Sequence, residues 1–513
     1  MSEEETHNAP IAPEAQPEEI NASCRGPVLF LFFSAALWAV QSTGVGLLGS
    51  LKMHVPGFLA DCPFLTYGRL QANAWVAFLY GFAGNAGLGL TLWMLSRLRG
   101  MPLAKPGFVL AGAFLWNSGV TAAMVGITMG DQPGVAGYEL PAYASRVLLI
   151  GQAFIAFSAI ITYFSRRHQQ LYPSSWFLIA ALVAFPWIVG TAHWLLVETP
   201  VRGAAQIPVA HWTVTSLQQI WLGCMGLAAI LYFIPKITGR ELYSRQWAAF
   251  GFWMLLILGG WVNLNSGSPL PVWSIKLSQY ASALFIFVLI AIGWNLRQTA
   301  KGVPLLGSSD LTLQCMGFAL GAWLITALFT FGNFYSDWNG LLQFTYAGTA
   351  MRQFFAWGFF AMAMFGAVYY VAPRLFSGEV DWACSGTYKW IFRLTAIGAV
   401  VILLAGLGMS YGHGHALQDG SAEVMKKALM PMRIAFLGEI LFFLSSLIFL
   451  GSMACLLFRN CCGECSPMPV FELCGLGMKF PKGSDECSTM MCADALIPWY
   501  EAHFDNCQAD LLQ

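Results

Sequence analysis

The chain has 513 residues, 57% of them hydrophobic and only 10% charged, and its 26 basic residues balance 26 acidic ones. So little polar surface, with a mean hydropathy of +0.61, excludes a soluble protein of this size and makes the class an all-α polytopic membrane protein. Zero net charge excludes nucleic acid as a partner and leaves membrane lipid as the surroundings.

Residues 1–24 are polar and acidic and lack the basic start and cleavage site of a signal peptide. They predict a disordered tail over 1–26, so that the first apolar run, Pro27 to Met53, is a retained anchor. Apolar segments then recur at about 28–53, 73–96, 107–129, 143–164, 175–198, 210–235, 246–264, 274–296, 311–333, 350–372, 389–411 and 432–457. They predict a bundle of about twelve transmembrane helices over 27–457, each near the length needed to cross a bilayer. Basic residues follow the even-numbered segments: Arg97, Arg99 and Lys105, then Arg166 and Arg167, Lys236, Arg240 and Arg245, Arg297 and Lys301, and Arg374. That alternation predicts both termini on the cytoplasmic side, although Lys426, Lys427 and Arg433 run against it. One internal echo, Leu231–Glu241 against Tyr369–Glu379, reads in both places as a helix end, a Pro-cation pair and a turn.

Residues 458–513 form a cysteine-rich cytoplasmic tail. Of the 13 cysteines, five (Cys24, Cys62, Cys224, Cys315, Cys384) are scattered and read as small apolar packing residues. In the tail, Cys462 and Cys465 with Cys487 and Cys492 have the look of two thiolate knuckles, a candidate zinc or iron–sulfur site for which His503 is a substitute ligand. Free thiols and membrane-proximal palmitoylation are the alternatives.

Four patches carry a resemblance. They are Tyr67-Gly68-Arg69-Leu70 with Phe82-Ala83-Gly84-Asn85, Tyr232-Phe233-Ile234-Pro235-Lys236, Phe252-Trp253 with Trp261, and Pro431-Met432-Arg433 with Leu437-Gly438. With Gly366-Ala367-Val368-Tyr369 and Pro373 in the tenth segment, they resemble the catalytic subunit (subunit I) of haem-copper oxidases, closest to the cbb3 type, from about residue 30 to 457. The resemblance implies a bacterial inner-membrane location. It also implies a low-spin haem b, a high-spin haem and copper B, held by six histidines, and a cytochrome c-type electron donor.

Carried over position by position, the resemblance places the second-segment haem ligand on Ala74 and the two tenth-segment ligands on Met351 and Gln353. The copper ligands fall on Thr215 and near Asn265 and Ser266, and the family's tyrosine on Gly259. None of these is a histidine or tyrosine, so no haem or copper and no catalytic residue is expected. Of eight histidines, His7, His54, His168 and His503 lie in tails or loops. That leaves His193, His211, His413 and His415, fewer than six, and each reads as a hydrogen-bonded side chain.

Losing haems leaves a void that would cost on the order of 10 kcal/mol, at about 24 cal/mol per Å³. Trp75, Phe78, Phe354, Phe355, Trp357, Phe359 and Phe360 are the candidates to refill it. Arg352, between the two substituted positions, is expected to snorkel to the interface.

Three functions compete. The first is a cofactor-free relative acting as a scaffold or docking subunit beside another membrane or cytochrome c-type electron-transfer subunit. The second is an active oxidase coupling oxygen reduction to proton translocation. The third is a transporter or channel using Thr215, Gln218, Gln219, Asn263 and Asn265 as a polar path.

Overall fold

The computed structural model describes residues 15–55, 57–135, 137–165, 171–264, 270–376, 385–421 and 423–463. Among these, eleven helices are long and apolar enough to cross a membrane, and one shorter apolar helix joins them. In chain order they are α1 (Pro17–His54), α2 (Tyr67–Arg99), α3 (Pro106–Met129), α4 (Ala142–Phe164), α5 (Pro173–Glu198) and α6 (Gly203–Thr238). They continue with α7 (Arg245–Leu258), α8 (Val272–Thr299), α9 (Leu311–Gly332), α10 (Ala347–Arg374), α11 (Ser385–Gln418) and α12 (Val424–Gly463).

Three helices form the centre. The most apolar stretches of α2, α10 and α6 are 94%, 89% and 78% buried, against 39–56% for the other spans, which turn an apolar face to lipid. Small residues let neighbours approach α2 closely, the usual way for helices to associate in lipid. A Cβ at Gly81 would lie 2.7 Å from Trp38 of α1, and one at Gly84 would lie 2.6 Å from Trp116 of α3. Polar groups add ties: Asn85 Nδ2 and Asn117 Nδ2 donate to each other's Oδ1 at 3.1 and 2.9 Å, linking α2 to α3. Trp38 Nε1 donates to the same Asn117 Oδ1 at 2.7 Å.

The three central helices each widen into a π-helical stretch, at Ala77–Ala83, Leu217–Leu222 and Phe354–Ala361, and α5 ends in another at Trp194–Glu198. Such insertions re-aim side chains and are frequent at functional sites. Apolar periodicity does not reveal them.

Two boundaries differ from the expectation. Helix α1 begins at Pro17, not Pro27, so residues 17–26 are helical. Pro17 suits the first helical position, Glu18 and Glu19 complement the dipole, and the segment is docked. Asn21 Oδ1 accepts from Trp93 Nε1 at 3.1 Å, Ser23 Oγ accepts from Leu103 N at 2.9 Å, and Arg25 Nε donates to the Leu375 carbonyl at 2.7 Å.

Helix α7 stops at Leu258 and does not run to residue 264. Gly259 and Gly260 follow in a turn, and Asn263 adopts a left-handed φ of 66°. The unwound backbone is paired by side chains: Ser282 Oγ accepts from Asn263 N at 3.2 Å and Ser278 Oγ from Leu264 N at 2.9 Å. Asn263 is itself fixed by Thr330 and Asn333 of and after α9, at 3.3 and 2.9 Å. The Asn263 side chain thus ties the turn after α7 to α9.

The first half of the internal echo closes α6 at Thr238, with Gly239 left-handed at φ 66°. In the second half, residues 377–379 lie outside the described residues. Cys24, Cys224 and Cys315 are buried among apolar neighbours, as packing residues should be.

Candidate functional site

The positions on which the resemblance places the family's ligands separate into two environments. Ala74 of α2 and Gln353 of α10 line one cavity of about 400 Å³, partly open at one end. Its walls come from α1 (Ser42, Thr43), α2 (Gln71, Trp75, Phe78), α10 (Arg352, Trp357) and α12 (Glu439, Phe442), closed by the loop carrying Gln132 and Glu139. Met351 does not line it; its side chain is buried on the other side of α10 in the apolar core.

Gln353 is committed within this cavity. Its Nε2 donates to Glu439 Oε1 at 3.1 Å, and its Oε1 accepts from the Tyr346 hydroxyl at 3.3 Å. Glu439 Oε2 is buried without a hydrogen bond of normal geometry, with the Ser50 hydroxyl nearby. Ala74 presents a methyl group with no lone pair, and its carbonyl accepts from Ser42 Oγ at 2.9 Å.

Arg352 corrects the snorkelling expectation. It is solvent-exposed but into the cavity, which the surrounding helices enclose, and its guanidinium stands 5.9 Å from the Trp75 ring. It makes neither a hydrogen bond nor an ion pair among the described residues, and the Glu139 carboxylate acts on it across the cavity. Glu139 Oε1 accepts from Gly137 N at 2.9 Å. Burial pushes its carboxyl up from the ordinary value, and the Gly137 N–H and the Arg352 charge pull it back. Arg352 lies two residues before the π-helical stretch of α10, and Trp75 and Glu139 give it an aromatic face and a counter-charge that lipid would not.

Six of the seven candidate aromatics are buried, and they leave a cavity. Phe78, Phe354, Phe355, Trp357, Phe359 and Phe360 are buried. Trp357 stacks on Phe82 and Phe442 at 5.8 and 4.9 Å and meets Phe78 at 5.1 Å. Phe359 lies where a Cβ on Gly226 of α6 would come within 2.5 Å. A second aromatic group, Tyr80, Trp116, Phe185 and Trp221, joins α2, α3, α5 and α6, with Phe185 and Trp221 only 4.7 Å apart. A charged cavity lies between Ala74 and Gln353, lined by Arg352, Glu139 and Glu439.

On the α6–α7 side Gly259 is closely packed, while His211, Trp212, Gly260 and Trp261 line a second cavity of about 280 Å³. A Cβ on Gly259 would sit 3.1 Å from Ile220 Cγ1 and 3.3 Å from Gln219 Cβ, so no tyrosine fits there. Thr215 Oγ1 approaches His211 Nε2 at 3.3 Å, and that nitrogen contacts the Val262 carbonyl at 2.8 Å. Asn265 and Ser266 lie outside the described residues.

His193 is likewise engaged, through Nδ1 with Ser145 Oγ at 2.8 Å and through Nε2 with Glu198 Oε1 at 2.9 Å, while Glu198 also pairs with Arg146. His413 is buried, and His415 packs on Tyr411 at 4.7 Å; the two histidines, two positions apart on a helix, point to different faces. Among the described residues no three His, Cys, Asp or Glu side chains converge as a metal site would need. Cys462 belongs to the last turn of α12; Cys465, Cys487, Cys492 and His503 lie outside the described residues.

The residues present therefore do not fit haem between Ala74 and Gln353. One position has no donor atom, and the other is an amide already bonded on both sides.

Sequence reasoning named Ala74, Gln353 and Arg352 but missed Glu139 and Glu439. Glu439 had a signal, a lone acid in an apolar twelfth segment. Glu139 had none, being one acid in a loop.

Known proteins agree with this architecture. The family model described as cytochrome c and quinol oxidase polypeptide I matches residues 26–456. A cytochrome c oxidase subunit 1 homolog of Azorhizobium caulinodans is 24% identical over 391 residues, covering 72% of this chain and 69% of that protein. The cbb3-type cytochrome c oxidase subunit CcoN1 of Stutzerimonas stutzeri is 23% identical, covering 72% and 79%. A haem-copper terminal oxidase dimer solved by cryo-electron microscopy superposes with a TM-score of 0.61 at 10% identity, covering 84% of each chain, a likeness of fold. The chain is an integral membrane protein and belongs to the cytochrome c and quinol oxidase polypeptide I family, as a divergent member.

Proposed function

We propose that this chain is a haem- and copper-free homologue of cytochrome c oxidase subunit I that serves as a membrane scaffold or docking subunit of an electron-transfer complex. The observation that carries the reading is Gln353. A residue at a haem-ligand position is tied instead to Glu439 and Tyr346, opposite an alanine that has nothing to offer iron. Gly259, with no room for the family tyrosine, supports it from the other half of the bundle. In this reading both termini face the cytoplasm of a bacterial inner membrane, and the cavity opens toward the opposite side. The cysteine tail is a separate candidate zinc or iron–sulfur site on the cytoplasmic face, through Cys462, Cys465, Cys487 and Cys492.

The test is purification from native membranes in mild detergent through a tag on this chain. A scaffold predicts that a haem-bearing subunit, c-type by its pyridine haemochrome spectrum, co-elutes and that all haem follows that partner when the subunits are separated. Oxygen consumption by the isolated chain with reduced cytochrome c would replace this reading with an active oxidase.

A further inference from the structure

The cavity beside Ala74 is more than space left by a lost group, because it holds two unlike charges that face each other without pairing. Arg352 offers guanidinium N–H groups to it and has no hydrogen bond or ion pair among the described residues. Glu139 takes backbone N–H groups, that of Gly137 on Oε1 at 2.9 Å, but no side-chain hydrogen bond among the described residues. Each feels the other's charge, yet no oxygen of Glu139 is within ion-pair distance of Arg352, so a gap separates them. Glu439 does not fill that gap, since Gln353 holds its Oε1.

A cation alone would meet Arg352 as a like charge, and an anion alone would meet Glu139. A neutral solute would leave both charges unmatched in a low-dielectric surrounding, where the penalty is large. A molecule with a carboxylate at one end of a short core and an ammonium at the other matches both. Guanidinium and carboxylate are geometrically suited to a two-point contact. Trp75, Phe78, Trp357 and Phe442 supply an apolar part of the wall that suits a side chain, and Ser42, Thr43, Gln71 and Gln132 a polar part. The volume of about 400 Å³ lies in the range of small-molecule sites.

We infer that this cavity binds a small zwitterion of the free amino-acid class, its carboxylate on Arg352 and its ammonium on Glu139. The inference rests on the haem-free reading of the same space, and an absorption spectrum of the same sample separates the two: a Soret band overturns both, whereas a colourless sample without binding overturns only this one.

The experiment uses the full chain in detergent, read by tryptophan fluorescence, since Trp75 and Trp357 line the cavity, and by thermal melting. The probes are the standard amino acids, with 3-phenylpropionate and 2-phenylethylamine as partners of L-phenylalanine and the corresponding acid and amine for any other that binds. The expected result is a saturable fluorescence change and a raised melting temperature with at least one amino acid. The matched acid and amine should each bind at least about tenfold more weakly. Arg352→Gln and Glu139→Gln should each weaken binding by about the same factor. If either variant fails to fold, the comparison of acid, amine and amino acid on the unaltered chain decides. No saturable response to any amino acid, or an acid or amine that binds as well as its amino acid, would overturn the inference.

Discussion

Trp357→Ala is expected to lower stability by about 3–5 kcal/mol, the cost of emptying a large buried aromatic site. Trp357 joins three helices at once: it stacks on Phe82 of α2 and Phe442 of α12, and meets Phe78 one turn away. Removing it would merge its own volume with the adjoining cavity, whose lining includes the charged Arg352, Glu139 and Glu439. The loss should appear as a lower midpoint in thermal or denaturant unfolding in detergent. Trp357→Phe keeps part of the packing and should lose markedly less. If alanine were tolerated without a measurable shift, the aromatic block would not be the filler of this core.

Gln353→Leu is the second substitution with a large expected effect. It removes the donor to Glu439 Oε1 in a place where Oε2 already lacks a well-formed hydrogen bond. A hydrogen bond to a charged group contributes about 1.5–3 kcal/mol, and an acid stranded in the interior costs its desolvation as well. The single variant should therefore be destabilised by about 2–4 kcal/mol. Adding Glu439→Leu should recover most of that, because two apolar groups facing each other leave nothing unsatisfied. A double variant no better than Gln353→Leu alone would show that Gln353 and Glu439 are not coupled, and Gln353 would need another role.

Which parts of this molecule a sequence shows follows from the range of the forces involved. Apolar runs such as 389–411 and 432–457 report directly on lipid, so helix existence was readable and helix order with it. The start of α1 was not. Glu18 and Glu19 read as a solvated tail, while the contacts that dock this turn reach Trp93, Leu103 and Leu375, far along the chain. The early end of α7 had a local signal in Gly259-Gly260, but apolar Trp261-Val262 and Leu264 continued the run and hid it.

At the site, substitution of Ala74, Gln353 and Gly259 was visible from the resemblance alone. Their fates were not, since filling depends on three-dimensional neighbours. Gly259 is pressed by Gln219 and Ile220, whereas Ala74 faces an opening lined by Arg352, Glu139 and Glu439 from three separate parts of the sequence. Counting aromatics beside Ala74 and Gln353 predicted a filled space there, and a cavity of about 400 Å³ remains among them.

The central claim is that the fold has been kept while the ligands that served metal chemistry have been replaced. The measurement that tests it most directly is the absorption spectrum of the chain purified free of other subunits, together with its iron and copper content. The account predicts no Soret band and neither metal at a meaningful fraction of the protein. One haem iron per chain with a strong Soret band would contradict it, and His193, His211 and Met351 would then be the first residues to replace in search of the ligand.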